Sequence, residues 1–353
     1  GGAANNPYLH FTQEHGFTFS TIGGPPSVNI SGRPPIQQGP PVTIRGVDHA
    51  YRISTRETTV AQYFEFVQAA APFIQELGIA PGALAGRQGI QYQGMVGGIP
   101  SYQMFESQEN RPALNSFGFF AMMANWLHHG APSRENATID TFRTGAYNDF
   151  VNQPTRNEGA RFWIPSSDEW HKAVYWDPNK DGQGNGGYWL FPDASDEPLI
   201  PGRPEDGGET GAGSSGEWPL PPNYPAENNR PSDVGMHPDV QTPWGLLDAS
   251  GGAREWTETI FDTFPVSKRF VEGSQAALSN VNRPSDLLLQ DNIFEFGFGN
   301  SFNSIQYVTA RFAAAVPAPG VPGVAAVALL AASTRKRRCS QTSTELQYRR
   351  QSH

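Results

Sequence analysis

The chain has 353 residues, 38 of them Gly and 31 Pro, and a formal net charge of −9 at pH 7. Its length allows one large domain or two ordinary ones with a sizeable core, and its acidity excludes the basic surface of a nucleic-acid binder. Gly and Pro together form about a fifth of the residues, which predicts much irregular backbone and few long helices. The 8 Trp and 22 Phe exclude global disorder, because such side chains pack in a core.

The cysteine count and the N-terminal sequence bear on where the protein works. Cys339 is the single cysteine, so an intrachain disulfide and a cysteine-based metal site are both excluded. The sequence begins GGAANNPYLHF, with neither an initiator Met nor a charged-then-apolar leader. For an exported protein we therefore expect a signal peptide that has already been removed.

The first 41 residues are predicted to form an extended N-terminal segment. Phe17, Phe19 and Thr21 alternate as they would in a strand, and the Pro-Pro pairs that follow exclude a long helix. We expect edge strands and loops in this segment.

A strand and a helix are predicted next. The segment VTIRGVDHAYRIS, from residue 42, alternates as a strand does. Thr58 or Thr59 then caps a helix that has Val60 and Val67 on its apolar face. Glu57, which precedes the cap, is interpreted as a buried, hydrogen-bonded structural carboxylate.

Two further helices are predicted, over Arg111–Gly130 and over Arg161–Trp176. The first repeats its apolar residues at helical spacing, and its closing Gly favours a helix end. The second starts sharply, at a capping box formed by Ser166 and Glu169.

The adjacent pair His128 and His129 raises the question of a metal site. Neighbouring helical residues point about 100° apart, so the two rings cannot bind one ion together. We expect solvated histidines. The eight histidines include no H-x-x-x-H pair, and the sequence contains no G-x-S-x-G nucleophile motif.

A weaker metal candidate is the loop DPNKDGQGN, in which Asp177, Asn179 and Asp181 alternate before a Gly. This order is typical of the first half of an EF-hand loop. The full motif requires Glu at its twelfth position, where Tyr188 stands. A solvated turn before a strand is therefore the preferred interpretation. Beyond it, Ala194–Pro238 is of low complexity and predicts a long surface insertion without regular structure.

Two carboxylates, Asp248 and Glu255, flank a Gly-Gly pair in the stretch TPWGLLDASGGAREWTE. The pair can take positive φ and expose its carbonyls, and carboxylate and carbonyl oxygens suit a hard cation such as calcium. The residues leave an alternative open, namely a strand, a Gly turn and a core Trp256 with no ion.

This stretch resembles the signature of the formylglycine-generating-enzyme, or sulfatase-modifying-factor, family, which runs roughly N-x-[FY]-G-L-x-[DN]-x-x-G-N-x-x-E-W. Thr242 and Gly252 stand where the family has Asn. Segments near residues 51–66, 111–127, 161–170 and 269–274 also resemble family wording, in the same order. The resemblance implies a calcium ion held by Asp248, Gly251, Ala253 and Glu255.

The resemblance covers about Val42–Arg311, and it implies an α+β fold of the C-type lectin-like type. Such a domain has little regular secondary structure and long Pro/Gly-rich loops. The expected organisation is an extended segment over 1–41, a sulfatase-modifying-factor-like domain over 42–315 with its insertion at about 194–238, and a C-terminal tail over 316–353.

The family's oxidase chemistry requires a pair of cysteines that bind copper and activate oxygen. At the corresponding positions this chain has Ala277 and Asn282, and neither side chain can replace a thiolate as metal ligand or nucleophile. We therefore expect a non-enzyme. The alternative is a metal-dependent oxidoreductase of the same family that uses a non-thiol site.

The tail VPAPGVPGVAAVALLAASTRKRR resembles a PEP-CTERM sorting signal of exported envelope proteins, with Val316–Pro319 in place of V-P-E-P. Its apolar part is shorter than the roughly 20 residues of a membrane-spanning helix. Cys339–His353 continues beyond the basic cluster, where such tails usually end. An apolar strand or helix followed by a solvated basic tail is the alternative.

Together these features predict an extracellular or cell-envelope surface protein that binds or assembles. In the binding version, aromatic loops such as Trp218–Tyr224 hold a glycan or protein ligand. In the assembly version, His10–Ile30 or the apolar tail pairs with a neighbouring subunit by strand addition, which gives a homo-oligomer or filament.

Overall fold

The computed structural model describes residues 6–32, 42–211, 233–262, 268–274, 288, 293–294 and 308–317. The described fold belongs to one unit, Gly1–Val316, and the rest of the chain after Pro317 lies outside the described residues. The sorting-like tail from residue 318 onward, Ala277, Asn282 and the loop Trp218–Tyr224 also lie outside them.

Many short strands and a few helices make up the described residues. The helices are α1 (Val60–Ala70), α2 (Pro81–Leu84), α3 (Phe117–His128), α4 (Asp140–Arg143) and α5 (Ser167–Tyr175). The strands are β1 (Phe11–Glu14), β2 (Phe17–Ile22), β3 (Ile30–Gly32), β4 (Val42–Ile44), β5 (Tyr51–Ser54), β6 (Ile90–Val96), β7 (Ile99–Met104), β8 (Phe162–Trp163), β9 (Trp176–Asp177), β10 (Gly187–Tyr188), β11 (Arg254–Asp262), β12 (Lys268–Glu272), β13 (Ile293–Phe294), β14 (Val308–Thr309) and β15 (Ala313–Ala314).

The central sheet joins distant parts of the chain in the order β1-β2-β5-β15-β8, with all neighbours antiparallel. β2 lies between β1 and β5, so the predicted N-terminal segment contributes strands to the same unit as the rest. A second sheet has the order β13-β12-β11-β14, and three two-stranded sheets complete the set. The protein is therefore a mixed α+β protein built from several small sheets.

The helix caps follow from short-range sequence, and the prediction of both caps is confirmed. Thr59 caps α1 and forms a capping box with Gln62, and Ser166 caps α5 with Glu169. The predicted first residues of the two later helical segments, residues 111 and 161, are wrong. Residues before α3 are extended, because Pro112 forms a β-bridge with Thr59. Residues before α5 include β8, which pairs with β15.

The apolar core lies around α3, whose residues from Phe117 to Leu127 are all buried. A helix that is apolar on every side needs neighbours on every side, and α3 contacts α1, α4 and β8. Aromatic rings fill the space between these elements; for example, Phe66 packs against both Trp126 and Phe142.

The described parts of the predicted insertion have little regular structure. They include a short 3-10 turn at Pro204–Asp206 and isolated bridges at Phe191 with Ser195 and at Pro201 with Thr210. Among the residues that the structure describes, no helix has the length and apolarity needed to cross a membrane.

Candidate functional site

Of the two carboxylates of the signature turn, Asp248 is half-buried and Glu255 is buried. Asp248 has φ +60°, and its Oδ2 accepts a hydrogen bond from the backbone N of Gly235 at 2.7 Å. Glu255, the second residue of β11, has 1% of its surface exposed, and its Oε2 accepts from Trp170 Nε1 at 2.9 Å. The turn between them places the predicted ligands Gly251 and Ala253 in the same segment.

A buried arginine from the far end of the domain neutralises Glu255. Arg311 donates from Nε to Glu255 Oε2 at 2.9 Å and from Nη2 to Oε1 at 2.8 Å. It also donates to the carbonyls of Ser54 and Leu247, at 3.0 and 2.8 Å. One guanidinium therefore joins β5, the signature turn and β11, and the bidentate geometry is the strong form of this ion pair.

Glu57 is the buried structural carboxylate that the sequence predicts. Its Oε1 accepts from the backbone N of Ala253 at 2.7 Å, whereas its buried Oε2 has no hydrogen-bond partner among the described residues. Gly252, where the signature that the turn resembles has Asn, makes room for this carboxylate. A Cβ at Gly252 would lie 2.5 Å from Glu57 Oε1.

Glu57, Asp248 and Glu255 thus share one arginine, Arg311, as a neighbouring positive charge. Burial, and then the charges of Asp248 and Glu255, raise the pKa of Glu57 well above its usual range. Burial raises the pKa of Asp248 to about 6, although Arg311 opposes the shift. The surroundings of Glu57 therefore favour its protonated, neutral form, and a cation beside it would oppose this shift.

Within the described residues, no three His, Cys, Asp or Glu side chains are grouped so that they could hold a metal ion. A calcium ion at the turn would need backbone carbonyls as well as carboxylates, as the resemblance implies. A cavity of about 10 Å³ adjoins Asp248 and is lined by polar residues that include Glu209 and His237. That volume is about the size of one water molecule.

The weaker metal candidate, the loop at Asp177, satisfies its own polar groups. Asp177 Oδ1 accepts from the N of Asn179 at 2.8 Å, and Oδ2 accepts from Trp189 Nε1 at 3.2 Å. Asn179 Oδ1 accepts from the N of Gly184. Asp181 lies near Gly187. These contacts are those of a hydrogen-bonded turn before β10.

The two adjacent histidines make separate hydrogen bonds. His128 is half-buried and its Nδ1 accepts from the backbone N of Arg161 at 3.1 Å. His129 is exposed, and its Nε2 bonds the carbonyl of Thr144 at 3.0 Å. The prediction of a solvated pair is thus confirmed for His129 and wrong for His128.

A cleft of about 930 Å³ lies elsewhere on the unit. Its walls are the loops 45–50 and 154–160, the start of α5, residues 258–260 of β11 and residues 315–316. Loops of this kind, carried on a rigid sheet and helix frame, are where binding residues concentrate.

The floor of the cleft is an arginine held between two buried glutamates. Arg156 donates from Nη2 to Glu169 Oε1 and from Nη1 to Glu258 Oε1, each at 2.8 Å. The glutamate side chains are 2% and 1% exposed, respectively, and that of Arg156 is 23% exposed. The guanidinium lies over the ring of Trp163, 4.1 Å from its centroid, which fixes its plane.

Both glutamates accept further hydrogen bonds. Glu169 Oε2 accepts from the backbone N of Ser166 at 2.9 Å and from Trp163 Nε1 at 3.1 Å. Glu258 Oε2 accepts from Tyr147 Oη and from the backbone N of Arg156, each at 2.9 Å. The floor is therefore rigid and its ionic groups are already satisfied.

The pKa values of these groups are shifted in different directions. Burial raises the pKa of Glu258 to about 7, even though the Arg156 charge lowers it. Burial also acts on Glu169, but the hydrogen bond from His49 and the charge of Arg156 outweigh it and lower the pKa. The same hydrogen bond, His49 Nε2 to Glu169 Oε1 at 3.0 Å, raises the pKa of His49.

A third buried cluster contains residues of the kind found in hydrolases, but not their arrangement. Ser167 Oγ donates to Glu272 Oε1, and His171 Nδ1 bonds the carbonyl of Ser167 at 2.9 Å. His171 Nε2 lies 3.9 Å from Glu272 Oε2, which is too long for a hydrogen bond. The serine therefore faces a carboxyl rather than the imidazole that would activate it.

Sequence reasoning identified Glu169 as a helix cap and missed Arg156, Glu258 and His49. Arg156 and Glu258 are 102 positions apart, and no local motif connects them. The strand that contains Glu258, REWTETIFD, carries no such signal either, because Arg254, Glu255 and Asp262 already make it rich in charged residues.

Comparisons with known proteins give no family. No protein-family model matches the chain, and no curated protein matches it. Among solved structures, Treponema denticola variable protein 1 is similar at 15% identity and a TM-score of 0.47, over 88% of this chain and 100% of that one. A structure titled Crystal Structure of CarF is similar at 14% identity and a TM-score of 0.44, over 84% and 99%. Likenesses at this level carry no argument about fold or function.

We expect Gly252→Ala to destabilise the protein by about 1 to 3 kcal/mol, because its Cβ would overlap the buried Glu57 carboxylate. Chemical denaturation measures the change. Gly23→Ala is the control, since a Cβ there meets nothing within 4 Å. The double change Glu57→Ala with Gly252→Ala should cost less than the sum of the single changes; additive costs would contradict the predicted contact.

Stability should fall as pH rises from 6.5 to 8. Burial raises the pKa of Glu272 to about 8, so the folded protein keeps a proton that the unfolded chain loses near its ordinary value. Stability from this group is complete below the unfolded pKa and is lost as pH approaches 8. Below pH 6.5 the neutral buried His171, whose pKa burial lowers to about 4, opposes this trend.

Denaturation midpoints at pH 6.5, 7, 7.5 and 8 test this prediction. Glu272→Gln keeps a neutral group of the same shape, so its slope across the window should be shallower than that of the parent. An unchanged slope would show that Glu272 titrates normally in the folded protein.

Proposed function

We propose that the chain is an exported, non-catalytic module of the sulfatase-modifying-factor type with a C-type lectin-like fold, and that it binds a ligand in the cleft of loops 45–50 and 154–160. The mixed α+β architecture with small sheets and long irregular connections supports this fold type. The contact between Arg311, in the segment that resembles the family's closing motif, and Glu255 of the signature supports it as well.

The cleft carries the binding proposal. Its volume of about 930 Å³ lies within the range of known ligand sites. Its floor is fixed by Arg156, Glu169 and Glu258, so a ligand meets a surface that is already ordered, and little conformational entropy is lost on binding.

A binding role agrees better with this floor than an enzymatic one. Arg156 and the two glutamates are bonded to one another, so none of them is aimed at a substrate as a nucleophile or general base would be. Ala277 and Asn282, at the positions of the related family's cysteines, support the same proposal.

The proposals about cellular location and about assembly are based mainly on the sequence. The sorting-like tail supports an extracellular or cell-envelope location. For assembly, the N-terminal route is now limited to the outer edge of β1, because β2 is paired on both sides within its own sheet. We therefore favour the binding version over the assembly version.

We also propose a structural calcium ion held by Asp248, Gly251, Ala253 and Glu255. The unpartnered buried Oε2 of Glu57 supports a cation in this neighbourhood, since three carboxylates face one arginine there. Calcium would supply positive charge beside Glu57, and it would share Glu255 with Arg311.

If calcium binds, the melting temperature should rise with its concentration, because an ion that binds the folded state stabilises it by mass action, by about 2.7 kcal/mol at a hundred times its Kd. Differential scanning fluorimetry with calcium, magnesium and a chelator measures this shift. Asp248→Asn should reduce the shift, and Asp181→Asn is the control at the weaker candidate loop. Equal melting temperatures with calcium and with chelator would remove the calcium proposal.

Glycan and peptide arrays, probed with the parent protein and with a cleft-filling variant, test the binding proposal. Thr155→Trp places a large ring in the cleft at an exposed position. Gln103→Trp adds the same ring at an exposed position of β7 outside the cleft. Ligands that bind the parent and Gln103→Trp but not Thr155→Trp support the proposal. Array signals that all three proteins share would place binding elsewhere.

A further inference from the structure

The cleft is lined by more acidic than basic side chains. Two arginines, Arg45 and Arg156, stand against five carboxylates. The acidic side chains of this lining are Asp48, Glu158, Asp168, Glu169 and Glu258.

Both arginines are already neutralised by carboxylates of the lining. Arg45 donates from its backbone N to Asp168 Oδ1 at 2.8 Å, and its Nε lies 3.3 Å from Oδ2. Arg156 holds two glutamates with one charge, as described above. The cleft therefore has an excess of negative charge that its own arginines do not balance.

The excess charge is accessible at the mouth of the cleft. Asp48 stands on one wall with 88% of its side chain exposed, and Glu158 stands exposed on the loop 154–160. Two carboxylates on different loops, above a floor that carries a further negative charge, form a site that attracts positive charge into a cavity.

We infer that the cleft binds a basic peptide segment, with lysine or arginine side chains between Asp48 and Glu158. This inference rests on the proposed binding function and adds the class of ligand. A segment with two or more positive side chains can reach both carboxylates and gain from the field of the buried glutamates. Neutral glycans gain nothing from that field, so they are the alternative that an experiment must separate.

The pH dependence of binding follows from the groups around the floor. Glu258 faces Arg156, Glu169, Tyr147 and Arg269, and it loses its proton near pH 7. His49 faces Asp48, Glu169 and Arg156 and gains a positive charge at lower pH. Both changes make the cleft more negative as pH rises, whereas lysine stays charged up to about pH 10. Affinity for a basic peptide should therefore increase from pH 6 to pH 8.

Fluorescence anisotropy with fluorescein-labelled tetralysine amide tests the inference. The comparison probe is the same peptide with all Nε atoms acetylated, which has the same length without side-chain charge. We expect tetralysine to bind more tightly than the acetylated peptide, and to bind more tightly at pH 8 than at pH 6.

Two double variants of equal charge change provide the control. Asp48→Asn with Glu158→Gln removes both mouth carboxylates, whereas Glu65→Gln with Glu106→Gln removes two exposed carboxylates outside the cleft. Loss of two exposed ion pairs predicts about fivefold weaker binding for the first pair. The double variant Glu65→Gln with Glu106→Gln should change the affinity much less. These two residues contribute only to the general attraction between an acidic protein and a basic peptide.

Each outcome has a distinct meaning. Equal affinities for both peptides, or equal losses in both double variants, would overturn the basic-peptide inference. An array glycan that Thr155→Trp fails to bind would overturn it while leaving the cleft as the binding site. Cleft variants that change no binding of any ligand would overturn the inference and the proposed function together.

Discussion

The buried ion pair of Arg311 with Glu255 connects three parts of the chain that are distant in sequence. The guanidinium is fully buried and contacts β5, the signature turn and β11 at once. Removing one partner of such a pair leaves an uncompensated buried charge, at a cost of about 3 to 5 kcal/mol. The positions of the turn, of Glu57 beside it and of Glu255 in β11 all depend on this pair.

β11 connects that centre to the cleft. Glu255, at its start, belongs to the Arg311 cluster, and Glu258, three residues later, belongs to the Arg156 cluster. The pairing of β11 with β12 shifts its register between Trp256 and Ile260, the part of the strand that contains Glu258. A single strand therefore positions both buried ionic clusters, and a shift of its register by one residue would disrupt both.

Local chemistry was predictable from sequence and long-range pairing was not. The capping boxes at Thr59 and Ser166 depend on residues three positions apart, and the signature places Asp248 and Glu255 in one segment. The start of α3 was misplaced because the bridge of Pro112 with Thr59 depends on tertiary contact. Arg156 and Glu258 meet across about a hundred residues, a pairing that neither periodicity nor local motif contains.

The position of β15 has a consequence for synthesis. This strand lies between β5 and β8 in the central sheet, yet its residues come some 150 positions after β8 in the sequence. β5 and β8 cannot be linked through the sheet until residue 314 has left the ribosome. The amino-terminal strands must therefore wait with unpaired edges, which are prone to wrong pairing. Folding of this chain is completed only after its translation has passed the end of the domain.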